Sequence, residues 1–341
     1  MVKAGQGTLL LVAAIALGLP QGVRADDNIY KDKNLTLIVG NAPGGGNDNY
    51  ARLVARHIGA FVPGSPSVVV QNMPGAGGLR AASHMYNVAP KDGTTFALIQ
   101  RANLTGPLLD TSGRKMPLDM TKFNWLGSIN SDTGFIIVWH TTPHREFADL
   151  AKHELIVGSA NPTSETIPYF LNNVFGTKIK VVSGYKSGTE ILLAMEKGEV
   201  QARILGSIAG PWPIVEPLMK ENKVRFLATL SLRRSQLAPS IPALIELART
   251  DEHKQMLDLL LSAQSWGRPF LLPPETPKER VALLRSALYR MTEAKPFLDD
   301  ARKGKLDIDL MKGEEIDEII TRLYKLPPAL IAATKQAVTP H

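Results

Sequence analysis

Two glycine-rich turns, each closing an apolar β-branched run and opening a helical pattern, constrain this chain more than any other feature. Leu35-Thr36-Leu37-Ile38-Val39-Gly40 leads into Asn41-Ala42-Pro43-Gly44-Gly45-Gly46-Asn47-Asp48. After that turn Tyr50, Leu53, Val54, Ile58 and Phe61 recur mostly at spacings of three and four, which predicts a helix with one face on a sheet. Ser67 to Gln71, centred on Val68-Val69-Val70, predicts a second strand and runs into Asn72-Met73-Pro74-Gly75-Ala76-Gly77-Gly78. A helix through Ala81, Met85 and Val88 follows, then the turn Pro90-Lys91-Asp92-Gly93 and a strand from Thr94 to Gln100. Strands alternating with helices over about 70 residues predict a parallel sheet with right-handed crossovers.

The pattern resumes with predicted strands at 135–139, 155–159, 180–183, 200–205 and 225–230, and helices at 167–175 and 189–197, the latter closed by Gly198. A second α/β unit is therefore expected over roughly 133–262. The tail after Pro273-Pro274 is helical by period, through Val281, Leu284, Leu288 and Met291, then Ile316, Ile319, Ile320 and Leu323. Pro327-Pro328 breaks it before a last short helix.

Glycines let backbone N–H groups approach a ligand closely, and a helix N-terminus carries about half a positive charge. Such ends bind carboxylates and phosphates without a catalytic side chain, and open α/β sheets place ligands at the carboxyl ends of their strands. Plain tight turns would use the same glycines. Two such turns in one sheet, with analogous loops in the second unit, favour a cleft that holds a small anion.

Other chemistry is poorly supported. The 341 residues contain no cysteine, which excludes disulfides, thiolate metal sites, haem attachment and a cysteine nucleophile. In Gly206-Ser207-Ile208-Ala209-Gly210 the serine is misplaced for a nucleophile elbow. Gly184-Tyr185-Lys186-Ser187 puts Tyr185 where a phosphate loop needs glycine, and Arg80 spoils a dinucleotide fingerprint after Gly75. His140 and His144 are interrupted by Pro143, and with His153 they read as loop or surface histidines rather than metal ligands. The formal charge of +7 is spread among acids, so no basic stripe for nucleic acid exists; Lys31-Asp32-Lys33 and Arg233-Arg234 read as solvated surface.

Residues 1–25 read as a secretory signal peptide: Lys3 supplies the positive start, 8–20 is apolar, and Val23-Arg24-Ala25 suits cleavage. An apolar run of about 11–12 residues is too short to span roughly 30 Å of hydrocarbon comfortably. Export to the periplasm is expected, and the charge falls to +5 without this segment.

Together these residues resemble the extracytoplasmic solute receptors of tripartite tricarboxylate transporters, also called the Bug family. Ala42 to Asp48 is similar to that family's Pro-Gly-Gly-Gly-x-Asp loop, and Gln71 to Gly78 to its Glu-Asn-x-Pro-Gly-Ala-Gly-Gly loop. Ala89-Pro90-Lys91-Asp92-Gly93-Thr94-Thr95, Gly184-Tyr185-Lys186-Ser187-Gly188 and Lys197-Gly198-Glu199-Val200 match further segments, and Ala238 to Ala243 matches one loosely. The resemblance implies an α/β fold of the type II periplasmic binding protein kind, with two α/β lobes joined by crossover hinge segments. Lobe 1 would comprise 26–132 plus 263–341 and lobe 2 133–262, hinging near Ser131-Asp132-Thr133 and Ser262-Ala263-Gln264-Ser265.

It also implies a non-enzymatic receptor that closes on a small organic acid and hands it to membrane permease subunits, as a monomer, without cofactor, metal or nucleic acid. The implied ligand contacts are Gly44, Gly45, Gly46, Asn47 and Asp48, then Asn72, Pro74, Gly75, Ala76 and Gly77, and from lobe 2 Ser164, Glu165, Thr166, Tyr185, Lys186 and Ser187. Two departures stand out. Glu165 sits where the family pattern carries no acid, and Val200-Gln201-Ala202-Arg203-Ile204-Leu205 lacks the acids of Val-Asp-Leu-Met-Phe-Asp. Arg101 after the third strand is read equally as a second carboxylate partner or a surface cation. Rival readings are a sensor docking on a kinase ectodomain, and a periplasmic enzyme using Glu165, Lys186 or Asp48.

Overall fold

The computed structural model describes residues 29–110, 118–160, 162–207 and 211–340; the expected signal peptide lies outside them. The strands are β1 (Asn34–Val39), β2 (Ser67–Asn72), β3 (Thr95–Leu98), β4 (Asn124–Ser128), β5 (Gly134–Trp139), β6 (Leu155–Gly158), β7 (Ile179–Val182), β8 (Ala202–Leu205), β9 (Val224–Leu230), β10 (Pro269–Leu272) and β11 (Met311–Lys312). They form two sheets, in the orders β11-β4-β10-β3-β1-β2 and β7-β6-β8-β5-β9.

The parallel order expected for the first three strands holds, but neither sheet is parallel throughout. β1 pairs parallel with β2 and β3, and β6 pairs parallel with β7 and β8. However, β10 runs antiparallel to both β3 and β4, and β5 antiparallel to both β8 and β9. Each of these two reversed strands is the one through which the chain arrives from the other lobe. A strand entering from outside joins the sheet from the opposite end, so its sense is set by the crossover and not by a local helix connection.

β1 shows how the first sheet is buried on both faces. Leu35, Leu37 and Val39 pack with Leu53, Phe96, Phe270, Leu284 and Leu288, whereas the intervening Ile38 packs with Ala97, Leu271, Trp125, Trp266 and Ile316. That alternation follows the two-residue period of a strand, and burial on both sides explains why β1 reads as a continuous apolar run. In the second sheet Ile136 and Val138 face Leu155, Phe170 and Leu227, while Phe135 and Ile137 face Ile191, Leu205 and Phe226. The last helix, Pro328–Ala337, seats Leu330 and Ala337 in this second core although it follows first-lobe elements in sequence.

The connecting segments lie side by side. The amide of Asp132 donates to Gln264 O (2.8 Å), and that of Gly267 donates to Asn130 O (2.8 Å). A Cβ on Gly267 would come 2.5 Å from Asn130 Oδ1, so only glycine permits this approach. Among the described residues no helix is long and apolar enough to cross a membrane.

Candidate functional site

The first glycine turn leaves β1 and opens the helix Gly46–His57, whose N-cap is Gly45 with no side-chain cap. Its acid, Asp48, is turned inward and almost fully buried. Asp48 Oδ2 accepts from Gly44 N (2.8 Å) and from Arg52 Nε (2.9 Å), while Oδ1 accepts from Asn72 Nδ2 (2.9 Å). Burial would raise the Asp48 pKa, but the donors Arg52, Gly44 and Asn72 outweigh it and hold the carboxyl below its usual range. Asn72 Nδ2 also donates to Asn41 O (2.9 Å), and Asn47 Nδ2 donates to Asn41 Oδ1 (2.7 Å).

The two turns are thus stapled to one another at the carboxyl ends of β1 and β2. Gly44, Gly45 and Gly46 are exposed, as are Pro74, Gly75, Ala76 and Gly77, whereas Asn47 and Asp48 are buried beneath them. In the second turn Gly78 has φ 90°, and a Cβ there would come 2.8 Å from Gln100 Cγ and 3.0 Å from Asn103 Nδ2. Glycine is required on both counts.

In lobe 2 the remaining candidates gather at the ends of β6 and β7. Glu165 accepts from Ser183 Oγ (2.7 Å), Tyr169 OH (2.9 Å) and Ser159 Oγ (3.2 Å). The Ser183 hydroxyl leads in holding its pKa below the ordinary value, with burial opposing, so Glu165 is an ionised acceptor. Ser164 Oγ lies 2.6 Å from Ser159 Oγ, and Thr166 begins the helix Thr166–Phe170. Tyr185 N donates to Ser159 O (3.3 Å), Lys186 N to Glu190 Oε2 (2.6 Å), and Ser187 Oγ caps the helix Gly188–Lys197 by accepting from Glu190 N (3.2 Å). A cavity of about 480 Å³ opens here, bordered by Ser164, Lys186, Ser187, Arg203 and Ser207.

Between the lobes stands a cluster that sequence reading caught only in part. Arg101 Nη1 donates to Asp132 Oδ2 (2.7 Å), Arg268 Nη1 approaches the same oxygen (3.3 Å), and Ser207 Oγ donates to Asp132 Oδ1 (3.0 Å). Arg101 is only 24% exposed, so it is a paired cation at the crossover and not a solvated one. Arg268 lies over the Tyr50 ring (4.9 Å) and 3.4 Å from where a Cβ on Gly46 would stand, which links the crossover to the first glycine turn. Asp132, Ser207, Arg203 and Arg268 were not singled out as site residues. For the charged three the one signal is charge beside buried apolar strands, as in Ala202-Arg203-Ile204, and Ser207 has none.

The His144 and His153 rings meet edge to face at 6.1 Å, and His144 Nε2 lies 3.2 Å from His153 O. Among the described residues no group of three or more His, Asp or Glu is arranged to hold a metal ion.

Comparison with known proteins agrees with this architecture. The family model described as tripartite tricarboxylate transporter family receptor matches residues 51–334, a span that holds the second glycine turn and begins just after the first. A Cupriavidus necator protein, described as the UPF0065 protein in the gbd 5′ region, is 30% identical over 258 residues, covering 70% of this chain and 72% of its own. A TctC solute-binding protein from Polaromonas has a TM-score of 0.70 at 20% identity, covering 91% of this chain and 99% of that one. MatC from Rhodopseudomonas palustris, solved with malate bound, has a TM-score of 0.54 at 20% identity, covering 90% and 99%. Two lobes of this topology, matched over most of the chain by the family model, place this protein among the solute-binding receptors of the tripartite tricarboxylate transporter family.

Proposed function

We propose that the chain is exported to the periplasm, captures a small carboxylate between its lobes and delivers it to a tripartite membrane transporter. The observation that carries this reading is the staple Gly44–Asp48–Asn72, which fixes two exposed glycine turns side by side while consuming the only acid between them. What the turns then offer to solvent is backbone N–H and a helix N-terminus, the donor set that suits a carboxylate. The contacts we assign are Gly44, Gly45, Gly46, Asn47 and Asp48, Asn72, Pro74, Gly75, Ala76 and Gly77, with Asn47 and Asp48 acting from beneath. Ser164, Glu165, Thr166, Tyr185, Lys186 and Ser187 would close from lobe 2, and Arg101 would act through the hinge cluster.

Closure would pivot near 131–133 and 262–265, between a first lobe of 26–132 plus 263–341, whose last helix Pro328–Ala337 reaches across to the second core, and a second of 133–262, in a monomer processed after Ala25. A binding role is also favoured over an enzymatic one because Asp48 and Glu165 are both held as ionised acceptors. The bound malate of MatC is consistent with such a ligand.

The test is a thermal-shift screen of the mature protein from Asp26 against a panel of mono-, di- and tricarboxylates at fixed salt. A ligand at about 100 times its Kd adds roughly 2.7 kcal/mol to stability. A shift with one acid, accompanied by a smaller radius of gyration in solution scattering, supports capture by closure. No shift with any acid, together with mass spectrometry finding no acid released on denaturation, overturns it.

A further inference from the structure

We propose that Arg203 is an anion-binding residue of lobe 2 and that the ligand carries a second acidic group, met there while its first rests on the glycine turns. This rests on the carboxylate-capture reading above. Arg203 lies on β8 between the buried Ala202 and Ile204, yet its side chain reaches the cavity at the strand ends. Nη1 donates to Gly188 O (3.0 Å), and the guanidinium fills the space that a Cβ on Gly188 would occupy.

That single carbonyl is the partner found among the described residues for a group with five N–H donors. The contrast with other arginines is sharp. Arg52, Arg101, Arg234, Arg268, Arg285 and Arg322 each face a carboxylate. For Arg203 no acid among the described residues offsets the loss of water, and burial pulls its pKa down to about 10. A partly desolvated, unpaired guanidinium is costly, and a planar oxyanion docking two-pronged on it removes that cost.

The surroundings are suited to this. Lys186, which has no ion-pair partner among the described residues, and the hydroxyl residues Ser164, Ser187 and Ser207 border the same cavity of about 480 Å³. Ser207 is bonded to Asp132, Asp132 to Arg268, and Arg268 abuts Gly46. Direct contacts therefore link the border of the Arg203 cavity to the first glycine turn, the path across which closure would bring the two walls toward one ligand.

The experiment is titration calorimetry of the mature protein with chain-matched pairs: succinate against butyrate, and adipate against hexanoate. The wild type should prefer the diacid of at least one pair by about tenfold or more. Arg203→Gln keeps a donor for Gly188 O but no charge, and should reduce the diacid to the affinity of the monoacid while leaving the monoacid unchanged. Arg203→Lys, which keeps the charge and loses the fork, should retain part of the preference and provides the same reading if the glutamine variant does not fold. Equal mono- and diacid affinities in the wild type, or equal losses of both in the variants, overturn the role of Arg203 and leave carboxylate capture standing. A wild type that binds no member of either pair and releases no acid on denaturation overturns both.

Discussion

The two walls of the cleft are built on different principles. At the first turn of lobe 1 and at the crossover the charged side chains are committed: Asp48 to Gly44, Arg52 and Asn72, and Arg101 and Arg268 to Asp132. In the proposed binding mode backbone is left to face the ligand, and backbone recognises a carboxylate without regard to what it is attached to. On lobe 2 the loops are also ordered by hydrogen bonds, through Glu165 and Ser187, but among the described residues Arg203 and Lys186 meet no acid. If the proposed roles hold, a generic wall facing a selective one would let a single scaffold hold the acid in common and vary what is read at the far end.

The strongest way to break this comparison is to put a charge on the generic wall. Gly45 has φ −85°, and the nearest atom to a Cβ there is Ala42 O at 3.8 Å, so Gly45→Asp should fold normally. A carboxylate there would face the ligand's own at about 4 Å, a repulsion of roughly 4 kcal/mol at an effective dielectric near 20, or on the order of a thousandfold in affinity. Calorimetry with an acid that binds the wild type is the check. Unchanged affinity would show that the first turn is not where the carboxylate rests.

Removing the staple should cost less in affinity but more in stability. Asp48→Ala leaves the Gly44 amide and the Asn72 side chain without their acceptor, at about 2–3 kcal/mol, read as a shifted urea midpoint. Asp48→Asn tests the charge separately through pH. Because the folded pKa of Asp48 is depressed, its stabilisation is complete above the unfolded value near 4 and is lost as pH falls through the lower folded value. Wild-type stability should therefore owe nothing to Asp48 titration between about pH 5 and 8, and its decline below about pH 4 should be shallower in Asp48→Asn. Identical acid limbs in the two proteins would mean that the carboxylate is not held by its donors.

How far the sequence could be read follows the same division. Strands β1, β2 and β3 and the two turns were legible because local signals set them: apolar runs, glycines at strand ends, three-and-four periodicity behind them. β4 and β10 escaped notice. Asn124–Ser128 contains Gly127 with φ 141°, and Pro269–Leu272 begins with proline, so neither reads as a strand until the crossover brings them together. The reversed sense of β5 and β10 is likewise a property of chain path, which local pattern does not carry. At the site, the glycine turns are legible as motifs, but the hinge cluster joins residues 101, 132, 207 and 268, and no spacing announces that three distant residues share the Asp132 carboxylate. Arg203 carries no motif of its own: in the sequence its strand stands out only by the acids it lacks.

The smallest effect sharpens the comparison within a single turn. Gly44 has φ 82° with nothing within 4 Å of a Cβ, so Gly44→Ala should cost about 1–2 kcal/mol purely through its left-handed backbone. Gly45→Ala meets neither strain nor crowding and should leave stability within about 0.5 kcal/mol of wild type. The pair separates fold from function at neighbouring positions. A Gly45→Ala protein with wild-type unfolding and weakened acid binding would show that the ligand lies against the backbone itself, closely enough for one methyl group to intrude. Wild-type binding in that variant would place the ligand outside methyl reach, and the first turn would then act on it through its helix N-terminus and not through direct N–H contact.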